Sequence, residues 1–233
     1  MKPWLALAML LLQLFASGAQ AATAQRTPFQ IRCEDTISKS VSVLKAQQDG
    51  HTINNQLPYR ALTARTGSSN RNMETLGLTV LQGLHKAAVG GPILQDPASG
   101  YECIAPKVDI QLYYSPVRIY VGSEFAPGTC AYKEILEHEM RHLKAHMDNL
   151  ARVQKVVGDA LNKRFAGQPM YAPSGTALSA LQHEVGSNWF NFIRDEFDKG
   201  KLEQDKIDSP AEYARLSKAC NGEIAAILAK RRR

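Results

Sequence analysis

The run His138-Glu139-Met140-Arg141-His142 constrains this chain more than any other stretch. It reads H-E-x-x-H, and it is embedded in an apolar repeat that only a helix can use. Leu136, Met140, Leu143, Met147, Leu150, Val153, Val157 and Leu161 recur at steps of three and four, one face of a 3.6-residue period. Thr129 precedes the run as an N-cap, and Gly167-Gln168-Pro169 ends it, so the spacing predicts a helix from about Cys130 to Phe165. On that helix His138 and His142 fall between the apolar stripe and a polar side made by Glu134, Glu137, Arg141, Lys144 and Asp148.

Side chains four residues apart on a helix are about 5–6 Å from each other, close enough for two imidazoles to share one ion. Zinc held this way keeps a position open for water, and a glutamate beside the first histidine can take that water's proton. The motif therefore points to a zinc-dependent hydrolase, with His138 and His142 as ligands and Glu139 as general base.

A third ligand is needed. His146 lies in the same run, but an unbroken helix rises about 1.5 Å per residue and so holds it about 12 Å from His138 along the axis. Asp159 is on the same helix and further away still. If the next helix returns antiparallel, with the turn near residue 171, His142 faces about residue 200 and His138 about 204. Asp195, Glu196, Asp198 and Glu203 are then in reach, whereas Glu184 is not. Glu196 shares a face with Val185, Trp189 and Phe192. A carboxylate on an apolar face must bind a cation or be paired, because burying it alone is costly. Glu196 is the preferred third ligand, an ion pair to Arg194 or to a core arginine is its other explanation, and Asp198 is the reserve.

The first 21 residues have the form of a secretory signal. Lys2 is followed by the apolar stretch Trp4–Phe15, and Ala19-Gln20-Ala21 offers a cleavage site. Such a stretch is too short to span a bilayer, which takes roughly 20 residues. Residues 22–233 are enough for one domain with its own core. The four cysteines there, Cys33, Cys103, Cys130 and Cys220, contain no C-x-x-C and read as two disulfides of an exported protein. Cys130 opens the long helix and Cys220 lies in the last one, so the expected pairing is Cys130–Cys220 and Cys33–Cys103. The chain has no N-x-S/T sequon, which favours a bacterial envelope, periplasmic or secreted. The net charge of +6 is partly the terminal Lys230-Arg231-Arg232-Arg233. That is a solvated tail without interleaved aromatics, and it gives no case for nucleic-acid binding.

Elsewhere, Cys33–Gln47 reads as a first helix and Met73–Ala88 as a second, with loops over 50–72 and 90–106. Val108, Ile110, Leu112 and Tyr114 alternate, as do Val117, Ile119 and Val121, which predicts two strands joined by a tight turn. Beyond the long helix, Ser174 caps a helix to about Lys199, and a last one covers Ala211–Leu228. The expected architecture is α+β and mainly helical, with a small antiparallel sheet before the H-E-x-x-H helix.

A small sheet, an H-E-x-x-H helix and a second helix with an acidic ligand together resemble the zincin metallopeptidases, and Glu196 as ligand is similar to their gluzincin branch. The signal segment and the run Thr129–His146 also resemble a family of predicted secreted zinc-dependent proteases of bacteria. The resemblance covers about residues 105–205, and only H-E-x-x-H in it is specific. It implies Zn2+ on His138, His142 and Glu196, Glu139 as general base, and a peptide or protein substrate of the cell envelope. It also implies an edge strand holding that substrate, drawn from Val108–Tyr114 or Val117–Val121. Two other classes compete: a non-catalytic envelope protein that binds a metal or a partner through the same helices, and a purely structural helical domain.

Overall fold

The computed structural model describes residues 25–37, 41–66 and 74–232; the expected signal segment, residues 1–21, lies outside them. The fold is α+β, and it is organised by one helix. Helix α3 (Cys130–Phe165) begins at Thr129, whose Oγ1 accepts from the Tyr132 amide at 3.2 Å. Its second half buries Leu150, Val153, Val157, Leu161 and Phe165, as the periodicity predicts. Its first half turns a different face inward. There Ile135, His138, Glu139 and His142 are buried, and Met140 is 36% exposed. The two histidines therefore lie on the core face rather than at its polar boundary.

The region before α3 holds far more strand than the sequence indicates. After α1 (Pro28–Ile37) come β1 (Val41–Ala46), β2 (Thr52–Asn54), α2 (Tyr59–Thr66), β3 (Gly77–Val80), β4 (Gly83–Gly90), β5 (Ile93–Asp96), β6 (Tyr101–Ile104), β7 (Lys107–Tyr114) and β8 (Arg118–Val121). Strands β7 and β8 form as expected, but they do not pair with each other. β7 is the centre of a sheet ordered β1-β7-β4, and β8 is the centre of another ordered β2-β8-β3. Alternation shows which face of a strand is buried; it does not name its partner. Three of the four neighbours come from segments expected to be helical, and β2 comes from the expected loop over 50–72. Val41 and Leu44 belong to β1, parallel to β7, and the expected helix at 73–88 is β3 and β4, antiparallel to β8 and β7. Leu76, Leu78 and Val80 alternate as a strand requires, and Gly77 and Gly83 are each worth about 1 kcal/mol against a helix interior. A short apolar run fits either period.

A third sheet, β5-β6-β9, takes β9 (Met170–Pro173) from the chain after α3. Helix α4 (Ala177–Glu184) comes next. Its cap is not Ser174. The amide of Ala177 donates at 2.7 Å to Glu102 Oε1, a buried carboxylate of β6. Amides of Gly175 and Ala177 hold the Glu102 carboxyl below the usual range. A π-helical turn, Val185–Trp189, leads into α5 (Phe190–Asp198). Then come α6 (Lys201–Ile207), where no helix was expected, and α7 (Pro210–Arg232). Helix α7 is broken at Ala219–Gly222, where Cys220, Asn221 and Gly222 take positive φ.

Both expected disulfides form. Cys33–Cys103 fastens α1 to β6, and Cys130–Cys220 fastens the start of α3 to the break in α7. No helix among the described residues is long and apolar enough to cross a membrane. A cross-link over a loop this long restricts the unfolded chain strongly. Replacing Cys130 and Cys220 together by Ser is expected to lower the unfolding free energy by about 2–5 kcal/mol in guanidinium titrations. An unchanged midpoint would show that α7 is held by its packing alone.

Candidate metal centre

Two histidines of the core face and one exposed aspartate converge on one point. His138 Nε2 and His142 Nε2 are 3.2 Å apart, and each is 3.2 Å from Asp208 Oδ1. Asp208 is the residue at which α6 ends, two positions before α7 begins. Four-coordinate zinc with bonds of about 2.0–2.1 Å separates its ligand atoms by roughly 3.3–3.4 Å, so this triangle is nearly the face of such a tetrahedron. Two imidazole lone pairs facing each other at this distance need a proton or a cation between them. Two imidazoles and a carboxylate are a donor set that suits zinc.

Further polar groups orient the two imidazoles. His142 Nδ1 lies 2.6 Å from Gln204 Oε1, while the other end of that amide donates to the His142 carbonyl oxygen at 3.4 Å. The Gln204 oxygen can only accept, so His142 Nδ1 donates to it and Nε2 is turned towards Asp208 and His138. At His138 the acceptor is Glu212 Oε1, 3.3 Å from Nδ1. Ion pairs to Arg141 and Arg215 fix the Glu212 carboxylate, and Arg141 also approaches His138 Nδ1 to 3.2 Å. Arg215, followed by Arg141 and His138, lowers the Glu212 pKa to about 2. Burial alone would raise the Asp208 pKa, but hydrogen bonds from His138 and His142 outweigh it and keep the carboxyl well below the usual range. His142 shows the complementary effect: burial opposes its charge, and Asp208 and Gln204 more than restore it, so its pKa is raised.

Glu139 sits beside this triangle under strand β3. Its Oε2 accepts from Thr79 Oγ1 at 2.8 Å. Burial pushes its carboxyl pKa up, against the opposing pull of Thr79 and the two histidines. Gly77 is what lets the strand come so close. A Cβ there would lie 2.6 Å from Glu139 Oε1 and 2.8 Å from Ile135 Cγ2. β3 pairs only with β8 in its sheet and is an outer strand. Residues Glu74–Thr79 all line the same cavity of about 630 Å3 as His138, Glu139, His142 and Asp208. Alternate side chains of a strand point to opposite faces, so consecutive lining residues mean that the strand's edge borders the space. Tyr213 borders it too, hydrogen-bonded to Asp208, and burial followed by the Asp208 charge raises its phenol pKa.

Glu196 is not part of this group. It is buried on its apolar face, as expected, but its carboxylate is held by Arg152 Nη1 at 2.7 Å and by Lys199. An arginine ion pair is the explanation that applies, and the carboxylate beside the two histidines is that of Asp208. Asp198 is exposed. His146 borders the cavity but packs edge-on against Tyr114, ring centroids 5.4 Å apart, and burial lowers its pKa to about 4. The expected hairpin register was short: His142 faces Gln204 rather than residue 200. A π-helical turn takes up an extra residue, and α6 carries the chain on past Lys199 to Asp208. The expected substrate strands, β7 and β8, have neighbours on both sides; the strand beside the site is β3. Gln204, Glu212, Thr79 and Gly77 were also missed. Only Asp208-Ser209-Pro210, a helix end followed by a helix start, was a visible signal.

No protein family, curated protein or solved structure matches this chain. The two ligand sets are separable by experiment. Asp208→Ala is expected to weaken zinc binding at least 100-fold in competition with a chromophoric chelator, and Glu196→Gln to leave it within about threefold, since a donor removed from a site costs more than a residue outside it. The reverse pattern would restore Glu196 as the ligand.

Proposed function

We propose that the protein is a zinc-dependent peptidase of the periplasm or the secreted space, with a zincin-like site. The observation that carries this reading is the 3.2 Å triangle of His138, His142 and Asp208 with Glu139 one residue along the same helix. The outer strand β3 beside the H-E-x-x-H helix adds the element on which zincins hold a substrate backbone. Two disulfides suit an oxidising compartment.

Each residue then has a role its surroundings explain. His138, His142 and Asp208 would hold the zinc, and Gln204 and Glu212 orient the two imidazoles. When bound, zinc polarises a peptide carbonyl and lowers the pKa of a water towards about 7. Glu139 takes a proton from the attacking water and passes it to the departing nitrogen, which also takes up the water's second proton, so that one peptide bond and one water give a carboxylate and an ammonium group. Thr79 holds the carboxylate in place between these transfers. The backbone edge of β3 can pair with an extended peptide as an added strand, setting the carbonyl against Glu139.

Glu139→Gln is expected to lower cleavage of a quenched fluorogenic peptide library at least 100-fold, the scale of a lost general base, while zinc stays bound at one per chain. Full activity in that variant would end this mechanism. Zinc without turnover in the unsubstituted protein would leave a non-catalytic metal site instead.

A further inference from the structure

The sheet β1-β7-β4 has two unlike faces. Val108, Ile110, Leu112 and Tyr114 of β7 point into the core, and Asp109, Gln111 and Tyr113 between them point the other way. At the end of this outer face lies a cavity of about 540 Å3 that shares no lining residue with the cavity of the metal site. The loop that follows β1 and the segment joining β7 to β8 border it.

Its polar groups are already held in place. Gln48 Oε1 accepts from the Tyr114 amide at 3.1 Å, and Gln48 Nε2 donates to the carbonyl oxygens of Asp49 and Gly50 at 3.2 Å each. One side chain thus ties the loop to the end of β7. Beside it, Gln111 Nε2 donates to Gln47 Oε1 at 3.2 Å, and Gln47 Nε2 donates to Asp49 Oδ1 at 3.0 Å. This relay ends on a carboxylate that has no ion pair among the described residues, and it turns both amides one way round. Lys86 stands opposite Gln111 in the register of β4 and β7. Its ammonium lies 5.3 Å from the centre of the Tyr113 ring, with no carboxylate partner among the described residues. Arg118 on β8 adds a second cation, hydrogen-bonded to the Tyr120 phenol.

A cation without a counter-charge beside an acidic acceptor narrows the choice of ligand. Phosphate or sulfate offers only acceptor oxygens and is repelled by Asp49. A sugar acid offers both kinds of group, a carboxylate for Lys86 and hydroxyl donors for Asp49 and the Gln111 carbonyl oxygen. Pro116 and Val117 are the only aliphatic side chains bordering the cavity, and Val117 is buried, so an apolar peptide side chain gains little there. We propose that this cavity binds a carboxylate-bearing sugar unit of an acidic glycan, with Lys86 on the carboxylate and Asp49 and Gln111 on hydroxyls. The site stands whether or not the protein is a peptidase.

The test is calorimetric titration of the protein with a tetrasaccharide of alternating glucuronic acid and N-acetylglucosamine. Saturable binding is expected, and at least tenfold weaker binding of the same sugar with its carboxyls reduced to alcohols. Lys86→Ala and Asp49→Asn, both at exposed positions, should each weaken it at least fivefold, the scale of a lost hydrogen bond to a charged group. The aspartate variant separates a sugar-acid site from a plain anion site, because removing a like charge would tighten the latter. Tighter binding in Asp49→Asn, or displacement of the sugar by an equal concentration of inorganic phosphate, would overturn the proposal. So would no binding of the tetrasaccharide, full affinity in Lys86→Ala, or equal affinity for a hexapeptide of Ala, Gln and Glu. Thermal melting of both variants checks that they fold, and Lys86→Gln replaces the alanine variant if it does not.

Discussion

Three ionisable side chains on the buried face of a helix are the constraint to which the rest of the structure answers. His138, Glu139 and His142 are each less than 10% exposed, and such groups are costly inside a protein unless every one is partnered. The partners come from four separate places: Thr79 on β3, Gln204 on α6, Asp208 at the end of α6 and Glu212 at the start of α7. None of these segments is near the motif in sequence. Strand β3 and the region from Gln204 to Glu212 approach α3 from different sides, and the space left between them is the cavity.

Two close contacts fix that approach. Gly77 brings β3 against Glu139 and Ile135, where any side chain would collide. Gly200 does the same for the junction of α5 and α6. A Cβ there would lie 2.4 Å from Asn149 Nδ2, and that amide donates to the Phe197 carbonyl oxygen at 3.0 Å. Asn149 lies two turns beyond His142 on α3, so this contact sets the register that carries Gln204 to His142 and Asp208 to both histidines. The Arg152–Glu196 pair lies in the same contact region. Glu196 thus helps to hold the register that makes another carboxylate the candidate ligand.

The helix was legible in the sequence because it depends on local spacing alone. The stripe along α3, the cap at Thr129 and the position of His138, Glu139 and His142 on one helix all come from a 3.6-residue period. The requirement that a buried Glu196 be partnered was legible too, but its partner depends on a register that periodicity does not fix. Both disulfides could be paired from cysteine placement on the outline of the fold. Strands β1, β3 and β4 were misread because short runs such as Leu76–Val80 fit a helix or a strand until a neighbouring strand is known. Asp208 was missed for a related reason. It stands at a helix end, where side-chain direction depends on how α6 stops, and α6 itself has no apolar stripe to announce it.

The central claim is that Asp208, with His138 and His142, holds one zinc ion. Diffraction from zinc-loaded crystals on both sides of the zinc absorption edge tests it most directly. The account predicts a single anomalous peak about 2.0–2.1 Å from both imidazole nitrogens and from the Asp208 oxygen, with a water in the fourth position. A peak elsewhere, or a histidine pair joined to zinc without Asp208, would contradict it.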